Sequence, residues 1–199
     1  MADTASNRGE TSLAAFAASF ADTSKQGEVT IRECRLAQQV NLRGDSADKA
    51  VIKGAKAALG CDLPLDACTV ASAKAGHKVL WLGPDEWLVV AEDAAAASFA
   101  DLLSEKLADQ HVSIVNLDQN RLVIELSGPR AREVLEKACL QDLHPSAFTP
   151  GRIVGTIMFK TQVFLEQIDD QPTYWLYVRP SFSRHLAEML LDAMAEFVS

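Results

Sequence analysis

Apolar positions along the chain change period several times, and each change marks an element. From Val29 to Leu42 the side chains of Leu36, Val40 and Leu42 fall on alternate positions, which predicts one or two strands. A helix is expected next, capped by Asp45 or Ser46. Ala47, Val51, Ala55, Ala58 and Leu59 have helical spacing, and Gly60 stands as a C-terminal stop. Cys68 to Ala73, His77 to Leu82 and Trp87 to Ala91 read as strands, the last two joined by the hairpin-type loop Gly83-Pro84-Asp85-Glu86. Ser98-Phe99-Ala100-Asp101 has a capping-box pattern, and Phe99, Leu102, Leu103 and Leu107 give a second helix one apolar face.

The same order then recurs. Val112 to Val115 and Leu122 to Leu126 read as strands, and Gly128-Pro129 is expected to open a helix with proline at its first position. Ala131, Val134, Leu135, Ala138 and Cys139 form its stripe. Ile153 to Phe159, Val163 to Glu166 and Thr173 to Val178 are three further strands. The closing helix carries Phe182, Leu186, Met189, Leu190, Ala193, Met194 and Phe197 on one face. Particular residues support a duplication. Leu42-x-Gly44-x-x-Ala47 matches Leu126-x-Gly128-x-x-Ala131, Asp62-Leu63-Pro64 matches Asp142-Leu143-His144-Pro145, and Trp87-Leu88-Val89-Val90 matches Trp175-Leu176-Tyr177-Val178. The expected fold class is α+β: duplicated β-α-β units forming antiparallel or mixed sheets, with helices packed outside. Residues 28–199 would make one domain of two pseudo-repeats, about 28–110 and 111–199. Two domains with a linker near residue 110 are the alternative. Residues 1–27 read as a flexible arm with one weakly helical patch. Its Leu13, Phe16 and Phe20 must be hidden, either on its own domain or on a partner chain.

Composition narrows the function classes. With 199 residues, 48% of them hydrophobic, the chain can bury a self-sufficient core and is not a disordered protein. A net charge of −8 with scattered Lys and Arg argues against nucleic acid. The apolar run Leu13 to Phe20 lacks a positive leader and is too short to span a bilayer, so no membrane is expected and the location read is cytoplasmic.

Chemistry is sparse. Cys34, Cys61, Cys68 and Cys139 have no C-x-x-C pairing and no histidine at ligand spacing, which points to reduced, apolar cysteines and no metal site. His77, His111, His144 and His185 have no nucleophile-elbow partner. Asp62, Asp118 and Asp142 are the acids with positional logic, and Asp118-Gln119-Asn120-Arg121 reads first as a turn and secondly as a substrate-binding loop. Glu125 alternates with Leu122, Ile124 and Leu126, which places it on a solvated or interface face. There is no P-loop and no G-x-G-x-x-G, hence no signal for a nucleotide. Trp81, Trp87, Trp175 and Tyr177 suit core filling or, on an exposed face, a protein interface. No catalytic, cofactor-binding or metal-binding residue is assigned.

Four segments together resemble a known family. They are Val79-Leu80-Trp81-Leu82-Gly83-Pro84-Asp85-Glu86-Trp87-Leu88-Val89, Leu126-Ser127-Gly128-Pro129-Arg130-Ala131 leading into Val134-Leu135, Asp142-Leu143-His144-Pro145 with Phe148, and Tyr177-Val178-Arg179-Pro180-Ser181-Phe182. Over roughly residues 29–199 the chain is similar to the gamma subunits of heterotetrameric sarcosine oxidase. The later segments are shared with the folate-binding domain of glycine-cleavage aminomethyltransferases. The resemblance implies a duplicated β/α fold and a cytoplasmic complex that demethylates sarcosine oxidatively to glycine, hydrogen peroxide and 5,10-methylenetetrahydrofolate. It implies alpha, beta and delta subunits as partners, the large alpha subunit first among them. FAD, a covalently held FMN, NAD, zinc and tetrahydrofolate would then belong to those subunits and none to this chain. The chain itself would be a non-catalytic docking and assembly subunit. A stand-alone folate-binding protein related to the aminomethyltransferases is the alternative; a free-standing aminomethyltransferase is disfavoured, because the chain is too short for the additional domains.

Overall fold

Most strands are apolar on both faces, and both faces are covered. In β10 (Thr173–Val178), Tyr174, Leu176 and Val178 meet helices while Trp175 and Tyr177 turn the other way. In β5 (Glu86–Ala91), Trp87, Val89 and Ala91 meet helices while Leu88 and Val90 join the cluster that holds Trp175 and Tyr177. The computed structural model, which describes residues 10–23, 27–92 and 97–197, is thus a stack of helices, sheet, sheet and helices. Three apolar clusters occupy the three spaces between layers.

The first half supplies β1 (Thr30–Cys34), β2 (Gln38–Gly44), α2 (Lys49–Leu59), β3 (Val70–Ser72), β4 (Lys78–Gly83), β5 and α3 (Phe99–Lys106). The second supplies β6 (Val112–Asn116), β7 (Leu122–Ser127), α4 (Ala131–Glu136), β8 (Ile153–Met158), β9 (Thr161–Asp169), β10 and α5 (Pro180–Met194). One sheet runs β1-β7-β10-β9-β8; the other, read from its β6 end, runs β6-β2-β5-β4-β3. The two orders correspond strand for strand, and every pairing is antiparallel. Each half lends its first strand to the other half's sheet, so neither half closes a sheet alone.

The register corrects one part of the repeat. Leu42 pairs across to Trp87 and Ile114, and Leu126 pairs across to Tyr174 and Ile31. With Leu42 equivalent to Leu126, Trp87 is equivalent to Tyr174 and not to Trp175. A shift of one residue reverses the face, and Trp87 and Trp175 do lie in different clusters.

Helix starts also differ in detail from expectation. Asp48, not Asp45 or Ser46, caps α2 through Ala50 N, while Asp45 accepts from Ala47 N in the preceding turn. Gly60 closes α2 in the left-handed region, and the Ser98 hydroxyl caps α3 through Asp101 N. Pro129 precedes α4 instead of entering it. Arg130 N donates to Glu28 O, which ties the chain to the start of β1 before the helix begins at Ala131. Phe182 leaves the expected stripe of α5 and is half exposed; Ser183, Leu186, Ala187, Leu190, Ala193 and Met194 form the buried face.

Part of the arm expected at residues 1–27 (residues 1–9 and 24–26) lies outside the described residues. Its described part is a 3-10 turn, Ala14–Phe16, running into α1 (Ala17–Thr23). Leu13 and Phe20 are buried in the cluster shared with α4 and α5. Thr23 Oγ1 accepts from Ile31 N at 3.2 Å, and Ser12 Oγ lies 2.6 Å from Ser183 Oγ. The segment therefore folds back on its own domain.

Candidate functional site

One row of side chains crosses the inner face of the β1-to-β8 sheet. Arg32 faces Glu125, Glu125 faces Trp175, and Trp175 faces Glu166 on successive strands. Arg32 grips Glu125 with two bonds of 2.6 Å, and Trp175 Nε1 donates to Glu125 Oε2 at 2.9 Å. Glu166 accepts from Tyr177 Oη at 2.6 Å. From the opposite sheet Lys78 Nζ reaches Glu166 Oε1 at 3.0 Å and stands 4.0 Å from the Trp175 ring centroid. Glu125 and Glu166 are both buried. Glu125 was expected on a solvated or interface face. Its alternation with Ile124 and Leu126 is as read, but the second sheet covers its side.

Burial raises the pKa of Glu125, yet the bonds from Arg32 and Trp175 outweigh it and the carboxyl ends below its ordinary value. Burial, together with the charge of Glu125, pushes the Cys34 thiol up to about 12. Burial, then Glu166, hold the Tyr177 phenol well above its ordinary value. The row holds charge in fixed pairs and presents no nucleophile: Cys34 stays a thiol and Tyr177 a phenol at neutral pH.

The other residues singled out in the sequence are dispersed. His77 is buried with Nε2 2.8 Å from Leu59 O, His144 Nδ1 bonds Ser146 Oγ, His185 Nε2 bonds Phe159 O, and His111 is exposed. Asp62 pairs with Lys56, and Asp142 accepts from His144 N. Asp118 Oδ1 accepts from Gln39 N at 2.8 Å, which makes Asp118 to Arg121 a turn pinned to β2. Cys61, Cys68 and Cys139 are half-buried, and no group of three metal-ligating side chains occurs among the described residues. Trp87, Trp175 and Tyr177 are buried, so they form no exposed interface; Trp81 packs partly buried across from Trp87.

One further feature touches the Asp118–Arg121 turn, whose second reading in the sequence is a substrate-binding loop, while its other walls carry no sequence signal. A cleft of about 210 Å³ lies between the Glu10-to-Ser12 segment, the end of β1 and the β6–β7 turn, and is lined by Glu33, Gln39 and Arg121 among others. Gln39 Nε2 donates to Arg121 O at 2.7 Å, and Thr11 Oγ1 donates to Glu33 Oε2 at 3.0 Å.

Two half-repeats that exchange their first strands and carry their helices outside define a duplicated α+β fold. It matches the fold of the glycine cleavage system aminomethyltransferase T from Bartonella henselae, with a TM-score of 0.64 at 16% identity over 86% of this chain and 48% of that one. A second solved structure, heterotetrameric sarcosine oxidase from Corynebacterium sp. U-96 in complex with pyrrole 2-carboxylate, contains a chain that superposes with a TM-score of 0.86. That chain is 33% identical, and the match covers 96% of this chain and 97% of that one. Sarcosine oxidase subunit gamma of an Arthrobacter species is 40% identical over 186 residues, 92% of this chain and 89% of its own length. The corresponding subunit of Corynebacterium sp. strain P-1 is 38% identical over 184 residues, with the same coverage. The model of the sarcosine oxidase gamma subunit family matches residues 43–196. The chain belongs to the sarcosine oxidase gamma subunit family.

Proposed function

We propose that this chain is the gamma subunit of a heterotetrameric sarcosine oxidase and acts there as an assembly element without catalytic residues of its own. The observation that carries this reading is a whole-chain match to such a subunit combined with a row of charged side chains spent on one another. Arg32 and Glu125 pair within one sheet, Lys78 and Glu166 join the two sheets, and Cys34 is protonated. In the reaction of the complex, the N-methyl group of sarcosine loses two hydrogens with their electrons to O2, giving hydrogen peroxide. The remaining one-carbon unit passes to tetrahydrofolate as 5,10-methylenetetrahydrofolate, and glycine leaves. FAD, FMN, NAD, zinc and tetrahydrofolate are assigned to the alpha, beta and delta subunits. Among the described residues no three His, Cys, Asp or Glu side chains gather as a zinc ligand set. The location proposed is the cytoplasm; no helix among the described residues is long and apolar enough to cross a membrane.

Co-expression with the three other subunits, one carrying an affinity tag, tests the reading. The chain is expected to co-purify in a fixed 1:1 ratio, and omitting it is expected to lower the yield of assembled oxidase. A chain that elutes as a free monomer while the remaining subunits assemble at full yield and activity overturns the proposal.

A further inference from the structure

Three residues that line the cleft between the Glu10-to-Ser12 segment and the β6–β7 turn each carry a buried side-chain atom with no hydrogen-bond partner among the described residues: Glu33 Oε1, Gln39 Oε1 and Arg121 Nε. Buried polar groups are normally satisfied, so three on the lining of one small cleft need an explanation. The Gln39 amide is oriented by its bond to Arg121 O, which fixes Nε2 as the donor and leaves Oε1 as a free acceptor; the residue is only 2% exposed. Glu33 uses Oε2 for Thr11 and likewise keeps Oε1 as an acceptor. The Arg121 guanidinium forms no ion pair among the described residues. It rests 4.7 Å from the Phe164 ring centroid, and burial, then repulsion from Arg179, lower its pKa. Glu86 attracts it only from beyond ion-pair distance. A partly buried cation without a paired carboxylate is costly, whereas a bound carboxylate supplies two acceptors in the geometry that a guanidinium matches. The two acceptors Glu33 Oε1 and Gln39 Oε1 call for a cationic or multiply protonated donor. Exposed Glu10 and Arg35 at the rim add one charge of each sign.

We propose that this cleft binds one small α-amino acid as its zwitterion, with the carboxylate on Arg121 and the ammonium between Glu33 and Gln39. The volume of about 210 Å³ admits a ligand of glycine or alanine size and is small beside the roughly 300–1,000 Å³ of sites for drug-sized molecules. All the residues named for this site belong to this chain, so the proposal goes beyond the assembly role and does not rest on it.

Equilibrium dialysis against radiolabelled glycine tests it, with the full chain in whichever state it is purified, free or with its co-expressed partners. The wild-type chain is expected to hold one glycine more than the Arg121→Gln variant, or to bind it at least tenfold more tightly. Acetate and methylamine, each carrying one half of the zwitterion, are expected to displace the label at least tenfold less effectively than glycine. Equal glycine occupancy in wild type and variant overturns the proposal, as does displacement by acetate at the concentration where glycine itself displaces. Near-UV circular dichroism checks that Arg121→Gln folds. If it does not, Glu33→Gln takes its place, with the same loss expected and unchanged binding again overturning the proposal.

Discussion

Lys78 and Glu166 join the two sheets across a space otherwise filled by Leu80, Leu88, Val90, Val123 and Ile153. At 3.0 Å the pair has a Coulomb attraction of about 5 kcal/mol at an effective dielectric constant of ~20, and most of it offsets the desolvation of two charges. The Glu166 side chain is 3% exposed and that of Lys78 20%, so the carboxylate is the more stranded partner once its cation is removed. Lys78→Met keeps the aliphatic stem beside Trp175 and removes only the charge. The expected cost is about 3–5 kcal/mol, the range for breaking a buried pair from one side, with the lost contact to the Trp175 ring included. For a chain of this length that lowers Tm by roughly 6–20 °C. Glu166→Gln still accepts from Tyr177 and should cost about 1–3 kcal/mol. The double variant leaves no uncompensated charge and should be more stable than Lys78→Met alone, a coupling of about 1.5 kcal/mol or more. Urea denaturation of the four proteins, followed by tryptophan fluorescence, measures the cycle. If Lys78→Met lies within 1 kcal/mol of wild type, or the two single effects simply add, the pair does not hold the sheets as described.

Three further outcomes are expected. Gly128 has φ +116°, and a Cβ there would sit 2.6 Å from Glu28 O, so Gly128→Ala should cost about 3 kcal/mol or more in a thermal melt; Gly60→Ala, at φ +69° with open space around it, should cost only about 1 kcal/mol, and equal costs would count against the close approach of β1. Cys34, pushed up to about 12, should resist iodoacetamide in the native chain at pH 8 and react in urea; peptide mapping that finds it alkylated natively would contradict its burial beside Glu125. Burial lowers the pKa of His77 from its ordinary 6.5, so the folded state favours the neutral ring: its contribution is fully present above that value and is lost as pH falls through it toward the folded value. Urea midpoints at pH 7.5 and 5.5 should diverge for wild type and draw together for His77→Gln, and an unchanged gap would refute the assignment.

The local elements were legible because their signals are local. The Ser98 cap, the Gly60 stop, the Pro84-Asp85 turn and the paired Leu42-x-Gly44 and Leu126-x-Gly128 segments need only their own neighbours in sequence. Residues whose surroundings come from the far half were harder to place. Alternation correctly set Glu125 opposite Ile124 and Leu126, but nothing near it in sequence says that a second sheet lies over its face. The tryptophan match failed for a related reason: Trp87 and Trp175 share chemistry, but cross-strand pairing fixes equivalence and puts Tyr174 in the place of Trp87. The cleft lined by Glu33, Gln39 and Arg121 depends on Thr11 returning to a strand 22 residues away and on Gln39 reaching a backbone oxygen 82 residues away.

The reciprocal loan of first strands explains why the polar row sits where it does. β1 enters the sheet of the second half only in a register that sets Arg32 against Glu125. A slip by one residue would move Arg32 into the helix-facing core now filled by Ile31 and leave Glu125 without its cation. Lys78 imposes the same requirement between sheets, since it meets Glu166 in only one relative placement of the two halves. A buried ion pair adds little stability over an apolar replacement, but it penalises every misaligned alternative by several kcal/mol. In a duplicated fold, where two similar halves could pair their own first strands instead of exchanging them, that penalty discriminates. Arg32, Glu125, Lys78 and Glu166 differ from their counterparts in the other half: Glu125 is matched by Asn41, which bonds Glu86 and Trp87 O and carries no charge. The charged row therefore marks one half as different from the other, and with β1 held by Arg32 the exchange has one favourable outcome.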